Sequence, residues 1–246
     1  MSINQNSKFV INQHLRQISA ALVVVALGMV SSFADSQPKA LEILFLVKHR
    51  EAELSREIDS LRFRVIETTE ELSEEGEVED MEKEVREAVQ GAGQNPAARE
   101  LERSKVAGSK QEGSGSFSIL ASSSLFDWRV GREEVLDGVP CMVLEFQPSG
   151  EARPRNQREE VMSQMQGRYW VNQADNSCMR IEGKLTRLVP ILGFFAELRE
   201  VEFSWHAQKL EGELVAPKQV QYRYKASVFP FLTTHERHTL SYEAIP

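Results

Sequence analysis

Polar and apolar residues alternate with a period of two through most of the second half of the chain, the signature of strands with one covered face. Phe126, Trp128 and Val130 point one way, Asp137-Gly138 supplies a tight turn, and Met142, Leu144 and Phe146 alternate on the return. Arg168 to Val171 and Cys178 to Leu185 follow as two more strands, separated by the turn residues Asn172-Gln-Ala-Asp-Asn176. Next, Val201, Phe203, Trp205 and Ala207 occupy one face and Glu200, Glu202, Ser204 and His206 the other. Val220, Tyr222, Tyr224, Ala226 and Val228 make the most regular alternation in the chain, and Phe231 to Tyr242 comes last. The short connections imply mostly antiparallel neighbours. Leu188 to Phe195 is apolar without alternation, and Pro190 and Gly193 break it too often for an ordinary helix.

The first half reads differently. Leu41, Leu44, Val47 and Leu54 repeat at helical spacing and predict a helix over Ala40 to Ile58, with Pro38 near its first turn. Arg62 to Leu72 is rich in Val, Ile and Thr and reads as a strand ending at a Gly76 turn. Glu77 to Val89 carries Val78, Met81, Val85 and Val89 at helical spacing, yet has the length and place of a returning strand. We expect a hairpin. Between Glu67 and Glu87 stand 11 acidic residues against Lys83 and Arg86, a run that reads first as a solvated face. Gly91 to Ala97 is a break, Ala98 to Val106 a short helix candidate, and 107–116 a flexible Gly/Ser loop. That loop lacks the Gly-Lys-Ser/Thr ending of a phosphate loop and the strand-to-helix setting of a nucleophile elbow. Gln157 to Met165 predicts one further short helix.

Charge narrows the partners. A formal charge of −8 over 246 residues, with no compensating basic cluster, argues against nucleic acid. Lys8, His14 and Arg16 precede the apolar run Ile18 to Val30 and the small-x-small triplet Ser32-Phe33-Ala34. Together they predict a signal peptide over 1–34, cleaved after Ala34, and a single exported, periplasmic domain over 35–246. The apolar run is shorter than the roughly 20 residues a spanning helix needs. Cys141 and Cys178 are compatible with one disulfide or with two separate packed thiols.

Candidate chemistry is sparse. His235 and His238 lie three apart, which on a strand sends their imidazoles to opposite faces, so no metal site is expected. No nucleophile has a recognisable base, so the chain reads as a non-enzyme without a cofactor. What stands out is apolar surface. One part is the strand face of Phe126, Trp128, Ile181, Val201, Phe203, Trp205, Val220, Tyr222 and Tyr224; the other is the connection carrying Leu188, Ile191, Leu192, Phe194 and Phe195. Either packs as ordinary core, or the strand face lines a cavity for an acyl chain with the connection as its gate.

Asp137-Gly-Val-Pro-Cys-Met-Val-Leu-Glu-Phe-Gln-Pro148, Gly167-Arg-Tyr-Trp-Val171 and Met179-Arg-Ile-Glu-Gly183 resemble strand signatures of the outer-membrane lipoprotein-sorting carrier superfamily (LolA/LolB-like). Val171-Asn172 departs from the Ile-Asp of that pattern. The resemblance spans roughly Leu41 to Tyr242. It implies an α+β fold: a strongly curved antiparallel sheet, an unclosed β-barrel, covered by an N-terminal helix on its concave side and by loops. It also implies a periplasmic carrier of acyl chains of lipids or lipoproteins, with transient membrane contact. The alternative from a different class is a non-catalytic protein-interaction or sensory module of the same fold, with an envelope protein as partner. No single binding residue carries over.

Overall fold

The computed structural model describes residues 37–54, 56–57, 61–89, 119–191, 196–210, 214–228 and 232–245. The expected signal peptide, the break at Gly91 to Ala97, the Ala98 to Val106 helix and the 107–116 loop lie outside them.

The chain forms the expected unclosed antiparallel sheet behind an N-terminal helix. Helix α1 covers residues 37–54 and continues at 56–57. The strands are β1 (Arg62–Leu72), β2 (Val78–Val89), β3 (Phe126–Leu136), β4 (Val139–Pro148), β5 (Met165–Asn172), β6 (Cys178–Leu185), β7 (Val189–Pro190), β8 (Ala196–Lys209), β9 (Val215–Val228) and β10 (Leu232–Ile245). Their spatial order is β2-β1-β10-β9-β8-β6-β5-β4-β3, with the two-residue β7 appended to β8. Every pairing is antiparallel, and β2 and β3 are the two edges.

The hairpin reading of the acidic segment holds. β2 pairs with β1 from Arg62↔Val89 to Glu71↔Asp80, and only its first residues slip register. Its helically spaced Val78, Met81 and Val85 are all exposed, so they form no core stripe. Local spacing suggested a helix; cross-strand pairing, closed by the Gly76 turn at φ +88°, decided for a strand. The Asp137-Gly138 turn has both residues at positive φ, 50° and 81°, the geometry that matches the twist of a two-residue hairpin. Helix α2 is shorter than expected, Gln157–Met162, because β5 begins at Met165. Asn156 caps it by accepting from the Glu159 N–H at 2.9 Å.

Two faces result. Registered across the strands, Leu144, Tyr169, Ile181, Trp205, Val220 and Leu240 form one row of the apolar face. Phe146, Gly167, Gly183, Phe203 and Tyr222 form the next. Helix α1 packs here through Ala40, Leu44, Val47 and Leu54, all in one cluster with these sheet residues. Leu41, expected in the buried stripe, is half exposed at 50%, and Ala40 takes its place. A helix resting on a sheet presents one narrow arc, and the 40–44–47–54 spacing follows it more closely. On the opposite, open face the register builds a charged row, Arg129, Glu145, Arg168 and Glu182, from four successive strands.

Candidate functional site

The apolar face beneath α1 gathers the candidate residues read from the sequence. Phe126, Trp128, Ile181, Val201, Phe203, Trp205, Val220 and Tyr222 are all buried there, and Tyr224 is partly buried. Phe126, Trp128 and Phe146 form a compact aromatic group with ring centroids 5.0 to 6.0 Å apart. The close approach of strands β5 and β6 depends on two facing glycines. A Cβ on Gly183 would strike the Phe203 ring, and one on Gly167 the Glu182 carbonyl and the Phe146 ring. Of the expected gate, Leu188 is exposed and Ile191 packs against the core; Leu192, Phe194 and Phe195 lie outside the described residues.

Two polar features interrupt this apolar layer. Glu51 of α1 occupies a place in the buried stripe, between Val47 and Leu54. The residue is half-buried overall, but its carboxyl lies inside and accepts a hydrogen bond from the fully buried Tyr169 hydroxyl at 2.5 Å. Burial raises its pKa, against the opposing effects of the Tyr169 hydrogen bond and of Lys48. Burial likewise pushes Tyr169 and the neighbouring Cys178 well above their ordinary values, with Glu51 adding to both. The spacing 44–47–51–54 carried this signal, since it puts a carboxylate on an apolar arc; reading only the apolar members missed it. The second feature is Trp205. It is 8% exposed, and its indole N–H is buried without a hydrogen-bond partner among the described residues. Trp128, by contrast, donates to the Ser123 carbonyl at 3.0 Å, and Trp170 to Glu134 at 2.8 Å. A buried donor left unpaired is uncommon and asks for an explanation.

A broad groove of about 1360 Å³ is bordered by Arg168, Arg180, Glu182, Ser204, His206 and Arg223 and also by residues of the apolar rows, Phe146, Gly167, Gly183 and Phe203. Glu182 pairs with both Arg168, at 3.1 Å, and Arg180. The two guanidinium groups lie over Trp170, at 4.7 and 5.1 Å from its ring centroid, and keep that indole out of water. Burial, then the Arg180 charge, lowers the pKa of His206, which favours the neutral imidazole. The lining of the groove is mixed, since Trp128, Phe146 and Phe203 border it as well as these charged side chains.

The remaining chemistry is structural. His238 stacks on Tyr222, with centroids 4.6 Å apart, and bonds Thr69 and Glu236, while His235 meets the Ser73 carbonyl. Cys141 and Cys178 are buried free thiols. No group of three or more His, Cys, Asp or Glu side chains that could hold a metal ion occurs among the described residues. No described helix is long and apolar enough to cross a membrane.

No protein-family model matches the chain, and no curated protein matches it in sequence. Among solved structures it is similar to a putative outer-membrane lipoprotein-sorting protein domain from Vibrio parahaemolyticus. The identity there is 12% over 85% of this chain and 92% of that one, with a TM-score of 0.42. It is similar to a LolA superfamily protein from Nitrosomonas europaea at 14% identity over 83% and 91% of the two chains, TM-score 0.33. A chain of the Pseudomonas aeruginosa MucA/MucB complex is similar at 12% identity over 83% and 94%, TM-score 0.29.

Proposed function

We propose that this is a non-catalytic, exported binding protein that holds an acyl chain, of a lipid or a lipoprotein, between α1 and the apolar face of the sheet. The observation that carries the reading is the unpaired indole N–H of Trp205, buried in the middle of that face. An acyl carbonyl or carboxylate oxygen would accept from it, and the chain would run along Ile181, Val220 and Tyr222. Each methylene buried contributes about 0.8 kcal/mol, so ten give roughly 8 kcal/mol before ordering costs. That suits reversible carriage. Entry requires α1 to lift, with Leu188, Ile191, Leu192, Phe194 and Phe195 as the second cover. Cleavage after Ala34, a single domain over 35–246 and a periplasmic location belong to the same proposal.

The test is titration of the protein with a fluorescent fatty acid. Saturable binding is expected in the wild type. Trp205→Phe keeps an aromatic side chain, though a smaller one, and removes the donor. It should weaken binding at least about fivefold to tenfold, the worth of one hydrogen bond, and lower the melting temperature through the space it leaves. Equal affinity in Trp205→Phe overturns the role of the indole. No binding in the wild type overturns the carrier.

A further inference from the structure

The two edges of the sheet are built differently. β3 is interrupted by a register shift between Val130 and Glu133, the kind of bulge that discourages a further strand. β2 runs straight in register with β1 over most of its 12 residues, and among the described residues its outer edge pairs with nothing. An edge of this kind presents a row of backbone donors and acceptors to any extended chain.

Its side chains specify what that chain would be. On one face Glu84, Glu82 and Asp80 stand directly opposite Glu67, Thr69 and Glu71 of β1. Two of these three pairs set acid against acid, which destabilises a sheet. Arg86 relieves Glu67, at 3.4 Å, and among the described residues no ion pair is seen for Asp80, Glu82, Glu84 or Glu71. On the other face Met81 and Val85 are 61% and 57% exposed, either side of Lys83. A second copy of the chain is a poor occupant, because pairing β2 with β2 would add carboxylates to carboxylates.

We propose that the outer edge of β2 docks an extended segment of a partner protein in which Lys or Arg alternates with apolar residues. Period-two alternation puts the cations on the Asp80–Glu82–Glu84 side and the apolar residues against Met81 and Val85, while the backbones complete the ladder. This surface is separate from the acyl-chain site, and neither proposal rests on the other.

The experiment uses a fluorescein-labelled nine-residue peptide of alternating Lys and Val, read by anisotropy on the wild-type protein. Two control peptides have the same composition: one groups its lysines at one end, the other has alternate backbone amides N-methylated. The alternating peptide should bind, and both controls should bind about tenfold more weakly or worse. Glu82→Lys/Glu84→Lys, both at exposed positions, should cost about tenfold as well, in line with two exposed ion pairs reversed. Absence of binding overturns the proposal. So does equal binding of the methylated or grouped peptide, which would show charge attraction without strand pairing.

Discussion

The Tyr169 hydroxyl donates to Glu51 Oε1 at 2.5 Å, a contact across 118 positions of sequence that ties α1 to the middle of the sheet. It is a polar bond inside an apolar layer, so it couples the seating of the helix to the protonation of one carboxyl.

Burial holds the Glu51 pKa above its ordinary value in the folded state. The stability it contributes is fully present below the unfolded value of about 4.3, and is lost as pH rises through the raised folded value. Glu51→Gln keeps an acceptor for Tyr169 and cannot ionise. It should therefore match the wild type at low pH and melt higher than it toward neutral pH. Melting temperatures of both proteins between about pH 4 and pH 8 check this, and parallel profiles would contradict it.

Tyr169→Phe leaves that carboxyl inside without its donor. The expected cost is about 1–3 kcal/mol in chemical denaturation. If α1 is the cover of an acyl site, the same variant should take up the fluorescent fatty acid faster in stopped flow.

Gly183→Ala should be more damaging than an exposed-strand alanine. The added methyl meets the Phe203 ring within a closely packed row, and overpacking of this kind costs about 1–3 kcal/mol. Urea denaturation of the variant measures it; an unchanged midpoint would mean that the ring moves aside freely.

The charged row on the open face should be worth little. Glu182 pairs with Arg168 and Arg180, but all three side chains are partly exposed. Glu182→Gln is expected to cost no more than about 1 kcal/mol, and less in 1 M salt than in low salt. A loss of several kcal/mol would mean that Trp170 depends on this pairing for its cover.

Both thiols should be silent in the native protein. Burial raises the pKa of Cys141 and Cys178, and neither presents a thiolate to solvent. A chromogenic disulfide reagent should find two thiols only after denaturation. Rapid native labelling, or an intact mass two daltons short of the reduced chain, would show otherwise.

The amino-acid sequence by itself determined the long strands of the second half of the chain and, for most of their residues, which side is covered. Val201, Phe203, Trp205 and Ala207 are buried, as their alternation required, because a period of two leaves each residue one face to occupy. It also determined the Asp137-Gly138 turn, where positive φ at both positions favours those residue types. Tertiary structure decided how the strands are ordered and therefore which side chains become neighbours. Arg129, Glu145, Arg168 and Glu182 form a row only because β3, β4, β5 and β6 lie side by side in one register. Spacing alone puts Glu51 on the apolar arc of its helix, but what receives the carboxyl there is Tyr169, contributed by a distant strand. In the same way Val78, Met81 and Val85 have the spacing of a helix and became an exposed strand edge, because β1 offered a pairing partner and no core faced them. Periodicity is a property of a segment, whereas register, burial of a charge and the covering of a face belong to pairs of segments far apart in the chain.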